Sequence, residues 1–283
     1  MLLVPDDLVM EFKELVKGVG ISTLGLGTWG MGGSRTPDTS RNSEEISALR
    51  AGIELGVTHI DTAEMYGGGH TEELVGEAIR PYRREDLFIT TKVWTTNLRY
   101  KDLIASMIGS LKRLDVEYVD LYLVHWPSSD IPLRETMKGL EHCVAEGYTR
   151  FIGVSNFSSS LIAEAQSYLG ENRLVANQVR YSLKEQAPRV ELVPYCQENG
   201  LMIVAYRPLE RGVLTGPGHK VLDELTDKYG KTHSQISLNW LITQENVTAI
   251  PKTSNIEHLK ENIGAIGWKL SKDDFERLRK SFH

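Results

Sequence analysis

The sequence predicts an α/β protein folded as one (β/α)8 (TIM) barrel. Three observations predict it. Eight short, β-rich apolar runs alternate with helical patterns, and their starts lie mostly 24–36 residues apart. Strands that alternate with helices run parallel, joined by crossovers. No Pro/Ser-rich linker divides the 283 residues, a length that a closed barrel of roughly 250 residues accommodates. A doubly wound open sheet is the competing arrangement.

The runs are residues 22–26, 58–60, 87–91, 119–124, 151–154, 175–179, 201–205 and 247–250. The clearest helix is 101–114, where Leu103, Ile104, Met107, Ile108, Leu111 and Leu114 mark one apolar stripe at helical spacing. Segments 44–55, 134–146, 159–168, 189–198 and 233–243 repeat the pattern more weakly. Ser254 and Glu257 have the S-x-x-E spacing of a capping box, so a further helix is expected to begin near Asn255. Residues 1–20 read as a leader with the possible start of a hairpin, of which 1–9 are expected to be dispensable, and 21–283 as the barrel. Gly25, Gly27 and Gly30 satisfy G-x-G-x-x-G, but the chain continues as loop where a dinucleotide fingerprint needs a helix. That match is read as chance.

Composition narrows the partners. Apolar residues make up 41% and charged residues 25%, so a sizeable core is feasible, while a net charge of -6 argues against nucleic acid or an anionic membrane surface. Cys143 and Cys196 form neither a disulfide framework nor a zinc pattern, which points to a reducing, cytoplasmic setting. The N-terminus lacks a basic n-region, and no apolar run approaches the roughly 18 residues of a membrane span. The remaining histidines show no metal spacing, and no feature reports an oligomeric state. His59 is expected to face away from the barrel interior.

Barrel enzymes work at the C-terminal ends of their strands. There the sequence offers Asp61 and Tyr66 after the second run, Lys92 and Trp94 after the third, and His125-Trp126-Pro127 after the fourth. Singly, each has an ordinary role: a turn cap, a solvated strand end, a core histidine, a packing aromatic. Jointly, they put a carboxylate, an ammonium, an imidazole and a phenol at one tryptophan-lined mouth. A carbonyl that accepts hydride becomes an alkoxide and needs a proton donor in place. Tyr66 would be that donor, with a phenol pKa lowered by Lys92. Asp61 would hold Lys92 charged, and His125 would donate a hydrogen bond to the carbonyl oxygen. The eighth loop, with Lys252 before a helix N-terminus, suits a phosphate.

Taken together, these pieces resemble the aldo-keto reductase family. The matching stretches are Gly-Thr-Trp at 27–29, Asp-Thr-Ala-x-x-Tyr-Gly at 61–67, Thr-Lys-Val-Trp at 91–94, His-Trp-Pro at 125–127, Ile-Gly-Val-Ser-Asn-Phe at 152–157, Asn-Gln at 177–178, Ala-Tyr-x-Pro-Leu at 205–209 and Ile-Pro-Lys at 250–252. The resemblance implies a metal-free barrel that binds NADPH and reduces aldehydes or ketones, with Asp61, Tyr66, Lys92 and His125 as the catalytic tetrad. It implies that Ser155, Asn156 and Gln178 hold the carboxamide and that Tyr206 stacks on the nicotinamide. Pro208, Leu209, Lys252, Thr253, Asn255, His258 and Asn262 complete the implied cofactor set, and Trp29, Trp94 and Trp126 line the substrate pocket. Glycine-containing segment 211–220 is read as a loop that could move over the pyrophosphate.

Two departures stand out. His258 occupies the place where relatives carry an arginine that clamps the 2′-phosphate, so NADH is possible beside NADPH. The long C-terminal segment of many relatives is short or missing, which implies an open, permissive pocket. The alternatives to reduction are a non-catalytic nucleotide-binding subunit of the same fold and a Schiff-base lyase using Lys92.

Overall fold

The computed structural model describes residues 9–282; all but the last residue of the stretch expected to be dispensable (1–9) lies outside them. The chain opens with an antiparallel hairpin of β1 (Phe12–Val16) and β2 (Val19–Ser22). Eight strands follow: β3 (Leu26–Gly27), β4 (His59–Asp61), β5 (Phe88–Val93), β6 (Val119–Val124), β7 (Thr149–Ser155), β8 (Leu174–Arg180), β9 (Met202–Tyr206) and β10 (Val247–Ile250). They pair in sequence order, all parallel. Across the two ends, Gly25 N donates to Ala249 O at 2.9 Å, Ala249 N to Thr23 O at 3.1 Å and Gly27 N to Pro251 O at 3.1 Å. The sheet therefore closes, and an open doubly wound sheet is ruled out.

The first expected strand divides. Ser22 completes the hairpin, and only Leu26–Gly27 is barrel strand, because the chain must turn from one to the other within three residues. The glycines there serve packing: a Cβ on Gly25 would lie 2.7 Å from His59 Nδ1, and one on Gly27 would lie 2.7 Å from Ile250 O. No helix opens inside this G-x-G-x-x-G stretch, so the fingerprint match has no structural counterpart.

The helices α1 (Asn42–Glu54), α2 (His70–Ile79), α3 (Tyr100–Leu114), α4 (Leu133–Ala145), α5 (Ser159–Ser167), α6 (Leu192–Glu198), α7 (Lys220–Tyr229), α8 (His233–Ile242), α9 (Ile256–Ile263) and α10 (Lys272–Ser281) pack outside the strands. In α3 the expected stripe is inward: Leu103, Met107, Leu111 and Leu114 are buried, and the helix stops at Asp115 in the left-handed region. Periodicity did not announce α2, α7 or α10. The last two are short but amphipathic: α7 buries Leu222 and Leu225 and α10 buries Leu278, with Val221, Tyr229 and Phe275 half-buried against the core.

The barrel interior is filled by Phe88, Leu121, Leu123, Ala176, Met202 and Val204, and the hairpin inserts Leu15 and Ile21 into the same cluster. The hairpin thus closes the N-terminal end and leaves the other end for chemistry. His59 faces this interior, against the expectation. A strand alternates with period two, so His59 shares its face with Asp61 while Ile60 points to the helices. His59 Nε2 lies 3.1 Å from Thr90 Oγ1, and burial pushes its pKa down to about 4.

Candidate active site

The polar residues expected at strand ends gather at the C-terminal mouth. Asp61 ends β4, Lys92 lies near the end of β5, His125 follows β6, Ser155 ends β7, Gln178 lies in β8 and Tyr206 ends β9. Tyr66 sits on the turn Tyr66–Gly69, whose three glycines all have positive φ: 57° at Gly67, 64° at Gly68 and 100° at Gly69. Glycine adopts such angles without steric cost. At Gly67 the requirement is doubled, since a Cβ would stand 2.5 Å from Gly32 O. The turn is therefore pressed against the loop after β3, with Gly67 N donating to Ser34 O at 3.0 Å.

Lys92 is the hub. It is fully buried, and its Nζ donates to Asp61 Oδ2 at 2.7 Å, Thr62 O at 2.8 Å and Tyr66 Oη at 3.2 Å, which uses all three ammonium protons. Burial works against the ammonium, yet Asp61 and Tyr66 more than offset it and raise its pKa above the usual 10.5. The other Asp61 oxygen accepts from Gln178 Nε2 at 2.7 Å.

The phenol behaves differently from the expectation. Burial pushes the Tyr66 pKa above 10, and although Lys92 pulls it down, burial wins. The side chain stays a neutral acid at pH 7. Its ring meets Trp29 edge-on with centroids 4.9 Å apart and His125 at 5.6 Å, and His125 meets Trp94 at 5.0 Å. Burial, helped by Lys92, pushes His125 down to about 2, so the imidazole is neutral. Its Nδ1 is buried with no partner among the described residues. A buried N–H without an acceptor costs more than a bare lone pair, so the proton belongs on Nε2.

A second network runs along β7 to β9. Ser155 Oγ donates to Gln178 O at 2.8 Å, Asn156 Nδ2 to His125 O at 3.0 Å, and Tyr206 Oη to Asn156 Oδ1 at 2.9 Å. Asn156 adopts φ 63°, a region its short polar side chain tolerates.

A cleft of about 760 Å³ crosses this mouth. Asp61, Tyr66, His125, Trp29, Trp94 and Trp126 line one part; Ser155, Asn156, Gln178, Tyr206, Pro208, Leu209, Lys252, Thr253, His258 and Asn262 line the rest. Lys92 lies beneath the surface. Asn255 does not line the cleft: its Oδ1 caps α9, accepting from Glu257 N at 2.8 Å and His258 N at 3.4 Å. The helix is thereby capped by Asn255 alone, without the reciprocal box expected at Ser254, and Ser254 Oγ instead accepts from Lys252 Nζ at 2.9 Å. Segment 211–220 is largely loop, as expected: a short turn ends at Gly212, residues 213–219 carry neither helix nor strand, and α7 begins at Lys220. Its Arg211, Gly212 and Thr215 line the cleft, as do Arg35, Met65, Arg207 and Glu261, none of which motif reading singled out. Arg207 directly follows a strand end, so position alone would have found it.

A closed barrel with a buried Asp–Lys pair beneath a phenol and an aromatic cleft defines a class of barrel oxidoreductase. The model of the aldo/keto reductase family matches residues 23–282, and the chain belongs to that family. It is 36% identical to methylglyoxal reductase YeaE of Escherichia coli strain K12 (93% of this chain, 92% of that one) and 33% identical to glyoxal reductase of Bacillus subtilis strain 168 (95% and 92%). Among solved structures it is similar to a thermostable aldo-keto reductase, Tm1743, at 48% identity and a TM-score of 0.93, covering 96% of this chain and 100% of that one. An aldo/keto reductase from Klebsiella pneumoniae, in complex with NADP and acetate, aligns at 34% identity and a TM-score of 0.88 (97% and 96%).

Proposed function

We propose that this protein reduces aldehydes and small ketones to alcohols with NADPH, Tyr66 supplying the proton. The observation that carries the reading is the buried chain Asp61–Lys92–Tyr66, with contacts of 2.7 and 3.2 Å, ending in a phenol that lines the cleft. The donors present suit a dinucleotide. Arg207, Arg211 and Lys252 offer three cations along the part of the cleft that follows β9 and β10, and Thr253 adds a hydroxyl. Ser155, Asn156 and Gln178 give a polar edge for a carboxamide, beside the ring of Tyr206.

A bound reduced nicotinamide supplies the hydride. The side chains do the rest. His125, neutral with its proton on Nε2, donates to the carbonyl oxygen and fixes its direction. Tyr66 gives its proton to that oxygen as negative charge develops, and Lys92 stabilises the phenolate left behind. Asp61 keeps Lys92 protonated and aimed, and Trp29, Trp94 and Trp126 limit water. Reduction keeps its proton donor up to the Tyr66 pKa, above 10. The methylglyoxal and glyoxal reductases among the relatives support small dicarbonyls as first substrates to assay. A cytoplasmic location fits two buried thiols, which burial pushes up to about 12.

Tyr66→Phe tests the reading. NADPH oxidation against methylglyoxal and a panel of aldehydes should fall roughly a thousandfold. Nucleotide affinity, followed by fluorescence quenching, should stay within about threefold, since the lost hydroxyl belongs to the proton path. Turnover within tenfold of the parent would remove Tyr66 from its role. A Schiff-base role for Lys92 is opposed by its charge and its three occupied donors.

A further inference from the structure

We infer that Arg35 selects carbonyl substrates that carry a carboxylate. The inference rests on the reduction reading and deepens it. Arg35 lines the cleft at the tip of the loop between β3 and α1. That loop is built, not merely spanned. Gly30 and Gly33 form an antiparallel bridge, and Asp38 N donates to Gly32 O at 2.9 Å. Gly33 takes φ 101° where a Cβ would lie 2.1 Å from Thr36 O, so this tight fold admits only glycine. Gly32 N is held by the buried Glu45 carboxylate at 2.7 Å, and Met31 O accepts from Thr71 Oγ1 at 2.5 Å.

The loop also fixes where Arg35 stands. Ser34 O accepts from Gly67 N at 3.0 Å, and Arg35 O lies 3.2 Å from the point where a Gly68 Cβ would be. Both glycines follow Tyr66 directly. The arginine is thus tied to the turn that carries the phenol, while Arg207, Arg211 and Lys252 follow β9 and β10 and serve a dinucleotide in the reading above.

Arg35 pairs with no carboxylate among the described residues; Asp38 in the same loop accepts from Ser40 N at 3.0 Å, and the acids at the cleft are engaged elsewhere. Asp61 is bound by Lys92 and Gln178, and Glu64 Oε1 accepts from Trp94 N at 2.6 Å and Asn97 Nδ2 at 3.1 Å. The remaining lining acid, Glu261, belongs to α9 beside His258 and Asn262. An exposed guanidinium without an ion-pair partner, on a loop braced against the Tyr66 turn and lining the same cleft as the phenol, matches the two oxygens of a carboxylate with its planar fork. An ω-oxo acid meets both groups at once, its carbonyl at Tyr66 and its carboxylate at Arg35.

Two arms test this. In the first, kcat/KM is measured for 4-oxobutanoate and for butanal, its uncharged counterpart, in the parent and in Arg35→Gln and Arg35→Ala. In the second, butanoate and butanamide are titrated calorimetrically into the parent and both Arg35 variants, each loaded with NADP, and the preference for butanoate should be lost in the variants. The charged substrate should be preferred, and the substitutions should cut the 4-oxobutanoate/butanal ratio roughly tenfold. Butanoate should bind more tightly than butanamide, and rising ionic strength should weaken that preference. A ratio within about twofold of the parent in both variants, or butanoate binding no better than butanamide, overturns the assignment. If neither aldehyde oxidises NADPH, the reduction reading falls while the binding arm still decides the role of Arg35.

Discussion

At the scale of single residues, the charge states under this barrel follow from burial. Asp61, Lys92 and Tyr66 were all legible in the sequence as partners, because each sits at the end of a barrel strand or on the loop that follows one. Their electrostatics were only half legible. The pull of Lys92 on the phenol could be foreseen from its charge, but the opposing desolvation depends on how completely the turn covers Tyr66, which no spacing reports. His59 shows the same limit, since its environment became visible only with the strand's register. Its pKa falls from 6.5 in the unfolded chain to about 4 in the fold. Between those values the unfolded chain binds more protons, so stability rises with pH across the window and is lost as pH falls from 6.5 towards 4. The loss from this one group is about 3 kcal/mol. Urea unfolding at pH 7 and pH 4.5 should show a steeper decline for the parent than for His59→Gln. Parallel declines would mean that His59 titrates normally.

At the scale of elements, the turn Tyr66–Gly69 and the loop after β3 act as one piece. The sequence showed three glycines and a tight turn, but not what the turn leans on, because the contact from Gly67 to Gly32 crosses 35 positions. Gly67→Ala asks a Cβ to occupy space 2.5 Å from a carbonyl oxygen at φ 57°. The turn must shift, at a cost of about 1–3 kcal/mol in stability. Because Tyr66 moves with it, kcat should fall more than nucleotide affinity, read from steady-state rates and a binding titration. An alanine variant with parental kcat would show that the turn does not position the phenol. Helix α3 was readable for the opposite reason: its stripe is local, and one face is buried along its whole length.

At the scale of the molecule, the eight-strand count and the parallel order were legible because each strand is short, apolar and followed by a crossover. The hairpin floor was glimpsed only as a possible start. Its role depends on Leu15 and Ile21 meeting residues of five distant strands inside the barrel. Ile21→Ala should cost about 2–5 kcal/mol in urea unfolding, through lost burial and a cavity. The substrate KM should hold, since the floor lies at the end of the barrel away from the cleft. A loss below about 1 kcal/mol would show the floor to be dispensable.

The closure between β3 and β10 has a further consequence. The barrel is a hoop whose ends meet over a strand of two residues, and the cleft runs over that join, with Thr28 and Trp29 on one side and Lys252 and Thr253 on the other. A nucleotide lying in the cleft would work as a clasp on the hoop. Local opening draws on the least secured segments of a fold, and a ligand that needs the closed form suppresses it. Amide exchange at Gly25, Gly27 and Ala249 should therefore slow on adding NADPH by a larger factor than exchange within β6, the middle of the hoop. Equal slowing at both places would mean that the join opens only when the whole barrel does.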